Sequence, residues 1–332
     1  METFKRSAVI GSGRWGTSIA LHLASNGHDV DLMTSYPSTF IHMMEKRESP
    51  RLAGYTLPEN IRPVMLNVPD ELDYEIFIIA VPIVFARRSL KNLPLPDGAV
   101  LVGVNKGMEV ERLALMPDIA AELFPKCSYA HLGGPCFPDG LLDETSPVAE
   151  TIACEDGDLA ERLRVYFSSP KFRVYKSLDV KGVALLGALK NVYAIAAGII
   201  QEKGYKEEAL AVMLTRALSE ITRLCAALGV KPESVYGLSG LGDLMLTCYS
   251  AGNSKNKQFG RYVAQGMTAD DIFHLTKNSE AEGFFTARAL HDLSARHGVE
   301  MPLAEAVYQA LYQKTDLDEL IRGLFSRPPK FE

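Results

Sequence analysis

A short apolar strand, a glycine loop and a helix open the chain in an order that few folds accommodate. Residues 6–10 (Arg-Ser-Ala-Val-Ile) read as a buried strand, and Gly11-Ser12-Gly13-Arg14-Trp15-Gly16 follows at once. Residues 17–26 have helical character and end at Gly27, a natural C-terminal cap, and residues 29–33 read as a second strand. Gly-x-Gly-x-x-Gly alone is a common turn; between a strand and a helix it is a dinucleotide-binding fingerprint. The first glycine allows the tight turn, the second lets a pyrophosphate approach the backbone, and the third lets helix and strand pack closely. The helix N-terminus adds free N–H groups and a positive dipole end for the phosphates.

The end of the second strand selects between cofactors. An acid there would bind a ribose 2′-hydroxyl and repel a 2′-phosphate. This chain has Thr34-Ser35-Tyr36, and Asp31 sits inside the strand, too early for that role. Two hydroxyls accept either ligand, so NAD and NADP both remain open.

Further strands are expected at residues 75–81, 99–105, 128–132, 151–154 and 172–175, with a helix near 158–167. Residues 75–81 form a continuous apolar run of the kind parallel sheets bury. The strand at 99–105 ends in Asn105-Lys106-Gly107. Ligands of open parallel sheets bind beyond the carboxyl ends of the strands, so Lys106 is either a ligand group or a solvated loop lysine. Gly133-Gly134-Pro135-Cys136-Phe137-Pro138 is a rigid irregular loop that either presents backbone N–H groups or merely turns.

From residue 177 onward the strand pattern stops. Helices are expected at 207–228, 268–275, 286–296, 303–313 and 316–324, with Thr268…Asp271 and Asp316…Glu319 as N-terminal caps and a loose tail over 327–332. The fold class is therefore an α/β, doubly wound, Rossmann-like dinucleotide-binding domain over residues 1–177, followed by an all-α substrate and catalytic domain over 178–332.

That second part begins with an unusual run. Residues 182–200 are apolar or small almost throughout, yet Lys190 and Asn191 stand in the middle. The length would suit a membrane span. A central lysine costs roughly 2.5–3.5 kcal/mol there, and no second span exists. Alanine-rich halves without a turn argue against two strands. A helix buried in a soluble protein fits best. Lys190 then either serves a function or snorkels to water from the helix edge.

Composition narrows the function classes. An apolar share of 47% with 23% charged residues is that of a soluble globular protein. A net charge of −6 argues against a general nucleic-acid binder. The five cysteines form no Cys-x-x-Cys and the seven histidines no His-x-x-x-His, so neither a disulfide framework nor a metal site is supported. No signal-peptide pattern precedes the glycine motif, and a reducing cytoplasm is the expected setting.

Among the remaining polar residues, Asp243 lies in a glycine-rich segment among Leu241, Leu244 and Leu246. A buried Asp needs a partner, and Lys190 is the natural one; a helix N-cap is the plainer reading. Ser254-Lys255-Asn256-Lys257 is a basic polar cluster that suits a small phosphate or simply faces water. A dinucleotide domain implies hydride transfer, and ketone reduction needs a proton donor at the carbonyl oxygen. Lysine ordinarily titrates near 10.4. Burial and Lys106 would lower that value at Lys190, whereas Asp243 would raise it and orient the ammonium.

Taken in order, Gly11-Ser-Gly-Arg-Trp-Gly-Thr17, Lys106-Gly107, Gly134-Pro135, Lys190-Asn191-Val-Tyr-Ala-Ile-Ala-Ala-Gly198, Gly237-Leu-Ser-Gly-Leu-Gly-Asp243…Thr247-Cys248, Ser254-Lys-Asn256 and Glu282-Gly283 carry a likeness over nearly the whole chain. The sequence resembles the NAD(P)-dependent glycerol-3-phosphate dehydrogenase family. The resemblance implies reversible interconversion of dihydroxyacetone phosphate and sn-glycerol 3-phosphate with NAD or NADP and no metal. It makes Lys190 the acid/base residue, with Lys106 and Asp243 as companions. Gly11, Ser12, Gly13, Trp15, Gly16, Ser35, Lys106, Pro138, Lys255 and Glu282 would serve the cofactor. Lys106, Gly134, Cys136, Asn191, Thr247, Ser254, Lys255 and Asn256 would serve the substrate. It also implies a cytoplasmic enzyme, often a homodimer, that supplies the phospholipid backbone.

Three departures from the family pattern stand out. Gly133, Cys136 and Pro138 replace the usual Ser-Gly-Pro-Ser/Thr-Phe-Ala residues, and Pro138 removes a donor. Lys255 replaces an arginine, a point charge in place of a bidentate fork. Thr34-Ser35 lacks the frequent basic or ring residue. A paralogue reducing a related phosphate or phosphonate ketone, and a cofactor-binding regulator without catalysis, are the alternatives these departures raise.

Overall fold

The computed structural model describes residues 4, 6–66, 74–252, 254–277 and 281–328, so residues 329–332 of the tail expected to be loose lie outside the described residues. Two compact units are Met1–Lys106 with Ala114–Ala184, and Gly107–Leu113 with Leu185–Glu332. The cut falls inside the unbroken helix Val180–Glu202 and not at residue 177.

Among the described residues the first unit has ten strands: β1 (Ser7–Ile10), β2 (Val30–Thr34), β3 (Glu48–Ser49), β4 (Leu52–Thr56), β5 (Ile61–Met65), β6 (Ile76–Ile79), β7 (Val100–Gly103), β8 (Ser128–Gly133), β9 (Val148–Cys154) and β10 (Phe172–Ser177). Eight of them form one sheet in the order β10-β9-β8-β7-β6-β1-β2-β5, and β3 and β4 pair as a separate antiparallel ribbon. Neighbours in the large sheet are parallel, except that β8 and β9 run antiparallel. The chain builds outward from β1 through β2 to β5 on one side, and from β6 through β7 to β8 on the other. The β1/β6 junction is thus the topological switch point, where open α/β sheets bind their ligands.

Both faces of this sheet are covered, which explains strands that are apolar without alternation. Val9, Leu32, Ile76, Ile78 and Val102 join the core on one face. Ala8, Ile10, Met33, Phe77, Ile79 and Leu101 join the core on the other. The first helix runs from Arg14 to Ser25, beginning within the glycine motif and not at residue 17, because Gly13 itself is the N-cap. Strands β3 to β5 were not foreseen individually; they are short and partly polar, and β5 carries Pro63.

The helix Val180–Glu202, which runs on into the second unit, is long and apolar enough to cross a membrane, but its apolar stretch is almost wholly buried inside the protein. Its passage through the core depends on two glycines. A Cβ at Gly198 would lie 2.0 Å from the Lys257 carbonyl oxygen, and one at Gly260 would lie 2.0 Å from that of Ile195. The lysine-bearing helix and the helix Lys255–Ala264 therefore cross backbone against backbone. Nearby, the Tyr193 hydroxyl donates to Glu220 Oε2 at 3.1 Å. Glu220 also accepts the N–H groups of Leu303 (2.6 Å) and Ala304 (3.1 Å), capping the helix Pro302–Tyr308. Burial raises the Glu220 carboxyl above its ordinary range, opposed by these backbone donors. The helix expected over 303–313 is α-helical only to Tyr308, and Gln309–Gln313 widens into a π-helix.

Candidate active site

The first unit presents the three glycines in three different surroundings. Gly11 has φ +116°, and a Cβ there would lie 2.8 Å from the Ala80 carbonyl oxygen, so the turn excludes other residues. A Cβ at Gly16 would sit 1.9 Å from the Gly11 oxygen. A Cβ at Gly13, the helix N-cap, would meet no protein atom within 4 Å. Two glycines are thus demanded by the protein itself, and the third leaves open space where a pyrophosphate approaches. The residues present fit a dinucleotide. Ser12 is buried and its carbonyl accepts from the hydroxyls of Thr17 (3.3 Å) and Ser49 (3.2 Å), while Trp15 is half-buried on the first helical turn.

At the end of β2, Ser35 is exposed, and the Thr34 hydroxyl accepts the Tyr36 N–H at 3.2 Å. Asp31 pairs with Arg62 Nε at 2.9 Å and also accepts from Tyr74 and the second Arg62 nitrogen. It is committed inside the sheet, in keeping with its early position.

Lys106 is half-buried, and its Nζ donates to the Gly134 carbonyl at 2.9 Å. The reading of Lys106 as a solvated loop lysine is therefore replaced by an anchored one. The Cys136 N–H also turns back to the Gly134 oxygen, at 2.9 Å. At this donor the loop turns, one of the two readings left open for it. Pro138 is the first residue of the helix Pro138–Leu142, where a missing N–H costs nothing.

Within electrostatic reach of Lys106 lies a buried polar pair that no local sequence pattern announces. Tyr129 Oη is 2.8 Å from His131 Nδ1. A Cβ at Gly103 would fall 2.0 Å from the Tyr129 hydroxyl, so glycine leaves the room. Burial, reinforced by the Lys106 charge, lowers the His131 pKa to about 3. The unfolded chain, with His near 6.5, binds more protons between these values, so stability rises with pH through the window. The wild-type unfolding free energy from urea melts is expected to fall as pH drops from 6.5 to 4, by about 1.4 kcal/mol per pH unit from His131 alone. His131→Phe should be less stable at pH 7 yet show a shallower acid slope. Equal slopes in both proteins would remove His131 from that role.

The second unit gathers the other polar residues. Lys190 Nζ donates to Asp243 Oδ1 at 2.7 Å and to Thr247 Oγ1 at 2.7 Å. The Thr247 hydroxyl gives its own proton to the Asp243 carbonyl at 2.6 Å, so toward Lys190 it acts as acceptor. Lys190 is 5% exposed and Asp243 1%, which rules out snorkelling. Asp243 is the first residue of the helix Asp243–Tyr249, and Gly242 is the N-cap. The preceding π-helix, Leu238–Gly242, requires glycine at position 240, because a Cβ there would lie 2.1 Å from the Val235 carbonyl oxygen. Such bulges concentrate at functional sites.

Asn191 Oδ1 accepts from Asn256 Nδ2 at 2.9 Å, and Asn256 Oδ1 accepts the Gly283 N–H at 2.9 Å. Both amides thereby tie three helices together. Ser254, Lys255 and Asn256 are not a loop: Ser254 caps the helix Lys255–Ala264 by accepting the Lys257 N–H at 3.2 Å. Lys255 is exposed, and Glu282 begins the helix Glu282–His297. Lys257 is the surprise, 3% exposed with Nζ on the Ser250 carbonyl at 2.7 Å. It caps the carboxyl end of the helix that carries Asp243 and Thr247, a favourable place for a cation. Burial, then Arg261, lowers its pKa.

Sequence comparison supplies the family. The NAD-dependent glycerol-3-phosphate dehydrogenase N-terminus matches residues 6–160 and the C-terminus matches residues 179–322. The chain belongs to this family. A glycerol-3-phosphate dehydrogenase [NAD(P)+] of Geobacter sp. (strain M21) is 38% identical over 334 residues, covering 99% of each chain. That of Chlorobium phaeobacteroides is 36% identical over 333 residues, covering 98% of each. The crystal structure of glycerol-3-phosphate dehydrogenase from Coxiella burnetii superimposes with a TM-score of 0.90 at 28% identity, over 97% of this chain and 99% of that one. Family membership accounts for the Rossmann-like first unit and the helical second one.

Proposed function

We propose that the protein catalyses the reversible reduction of dihydroxyacetone phosphate to sn-glycerol 3-phosphate with NADH or NADPH. The observation that carries this reading is the buried Lys190–Asp243–Thr247 cluster in a chain of this family. Gly11, Ser12, Gly13, Trp15, Gly16 and Ser35 hold the cofactor, with Lys106, Pro138, Lys255 and Glu282 completing its contacts. The nicotinamide, when bound, supplies the hydride to the ketone carbon. Lys190 Nζ gives its proton to the developing alkoxide and recovers it in the reverse direction. Asp243 and Thr247 fix the direction of Nζ and keep a buried cation matched, which an isolated lysine could not sustain. Lys106, Gly134, Cys136, Asn191, Ser254, Lys255 and Asn256 are the groups assigned to substrate. Lys255 meets phosphate as a point charge, without the bidentate grip of an arginine.

In this reading the enzyme acts in the cytoplasm as a homodimer and supplies glycerol phosphate for phospholipid synthesis. The test is oxidation of NADH and of NADPH in the presence of dihydroxyacetone phosphate, followed at 340 nm. Turnover that saturates with the phosphate ketone, and is absent with unphosphorylated dihydroxyacetone at the same concentration, is expected. No turnover with either cofactor sinks the substrate assignment.

A further inference from the structure

The carboxyl ends of β1, β6 and β7 are in register. Ile10 pairs with Ile79, and Ile79 pairs with Gly103. Two residues beyond each lie Ser12, Val81 and Asn105, so Asn105 stands on the same sheet edge as the glycine loop. It is 8% exposed. Its Nδ2 donates to the Val81 carbonyl at 3.2 Å. Its Oδ1 is buried and has no hydrogen-bond partner among the described residues. The amide cannot be turned round to relieve this, because its oxygen would then face the Val81 oxygen. A buried acceptor left unmet costs about 1–3 kcal/mol, so such a group calls for a donor from outside the chain.

The sheet order indicates which part of a dinucleotide brings that donor. The pyrophosphate belongs at Gly13, and the adenosine ribose belongs at the end of β2. β2 lies on one side of β1, whereas β6 and β7 lie on the other. The other half of the cofactor therefore extends past Ala80 and Val81 toward Asn105. The backbone there is held independently of any ligand, since Val104 N–H donates to Ile79 O at 3.1 Å.

We infer that Asn105 Oδ1 accepts a hydrogen bond from the nicotinamide half of NAD(P)H, from its carboxamide N–H or its ribose hydroxyl. This rests on the cofactor reading above. Asn105→Leu keeps the shape and removes the acceptor. Wild type and variant are titrated, without substrate, with NADH by fluorescence, and with ADP-ribose and ADP by displacement; thermal unfolding controls for folding. The expected result is about tenfold weaker NADH binding with ADP unchanged. ADP-ribose affinity falling in parallel assigns the ribose hydroxyl, and ADP-ribose affinity unchanged assigns the carboxamide. Asn105→Ser, which keeps a shorter acceptor, should lie between the two. NADH affinity unchanged in Asn105→Leu, or ADP weakened by the same factor as NADH, overturns the inference. Wild type that binds no NADH at all overturns the cofactor reading instead.

Discussion

Replacing Lys190 with methionine is expected to lower kcat by about 10²–10⁴, the usual span of a positioned general acid or base. NADH binding, measured by fluorescence, should change little, because the nucleotide loop is in the other unit. The protein should also lose stability. Asp243 is 1% exposed, and its cation would be gone. Removing one member of a buried ion pair costs roughly 3–5 kcal/mol. Lys190→Met with Asp243→Leu should recover much of that stability and none of the turnover. This double variant separates chemistry from folding. Near-normal turnover in Lys190→Met would remove the lysine from the reaction.

The second large effect contrasts two glycines three residues apart. Gly16→Ala should destabilise the first unit by about 1–3 kcal/mol or more, since the added methyl would sit 1.9 Å from a backbone oxygen that no rotamer can move. Gly13→Ala should leave the urea midpoint almost unchanged, since its Cβ meets nothing. It should instead weaken NADH by tenfold or more, by obstructing the phosphates. If Gly13→Ala binds NADH as wild type does, the pyrophosphate does not pass over that position.

These contrasts show which kinds of information the sequence carries. The dinucleotide loop was legible because its whole logic lies within about thirty consecutive residues of strand, loop, helix and strand. Lys190 and Asp243 were legible as a pair because each is a charge in an apolar setting, and buried charges need partners. Lys257 was not, because it lies among other polar residues and nothing local tells a buried lysine from a solvated one. The His131–Tyr129–Gly103 arrangement depends on β7 and β8 being adjacent, with Gly103 opposite His131 in the register. Asn191 and Asn256 pair across 65 positions of chain. The bond between these two amides was not legible, since an asparagine that staples helices and one that grips phosphate look identical in sequence. The unread ribbon of β3 and β4 is short and only partly buried, so hydrophobic periodicity leaves little trace there.

The crossing at Gly198 and Gly260 bears on how such a protein can diversify. Where helices meet through side chains, a mutation can be answered by its neighbour, and a lineage can drift through compensated pairs. Here the facing groups are carbonyl oxygens, which offer no compensating substitution. The two helices thus form an indexed joint that cannot slip by one residue without expelling a glycine from its slot. Selection for a new substrate is accordingly steered away from this joint and toward exposed positions such as Lys255 and Ser35. Libraries that randomise those two while holding the glycines fixed should yield far more folded variants than libraries spread evenly over the second unit.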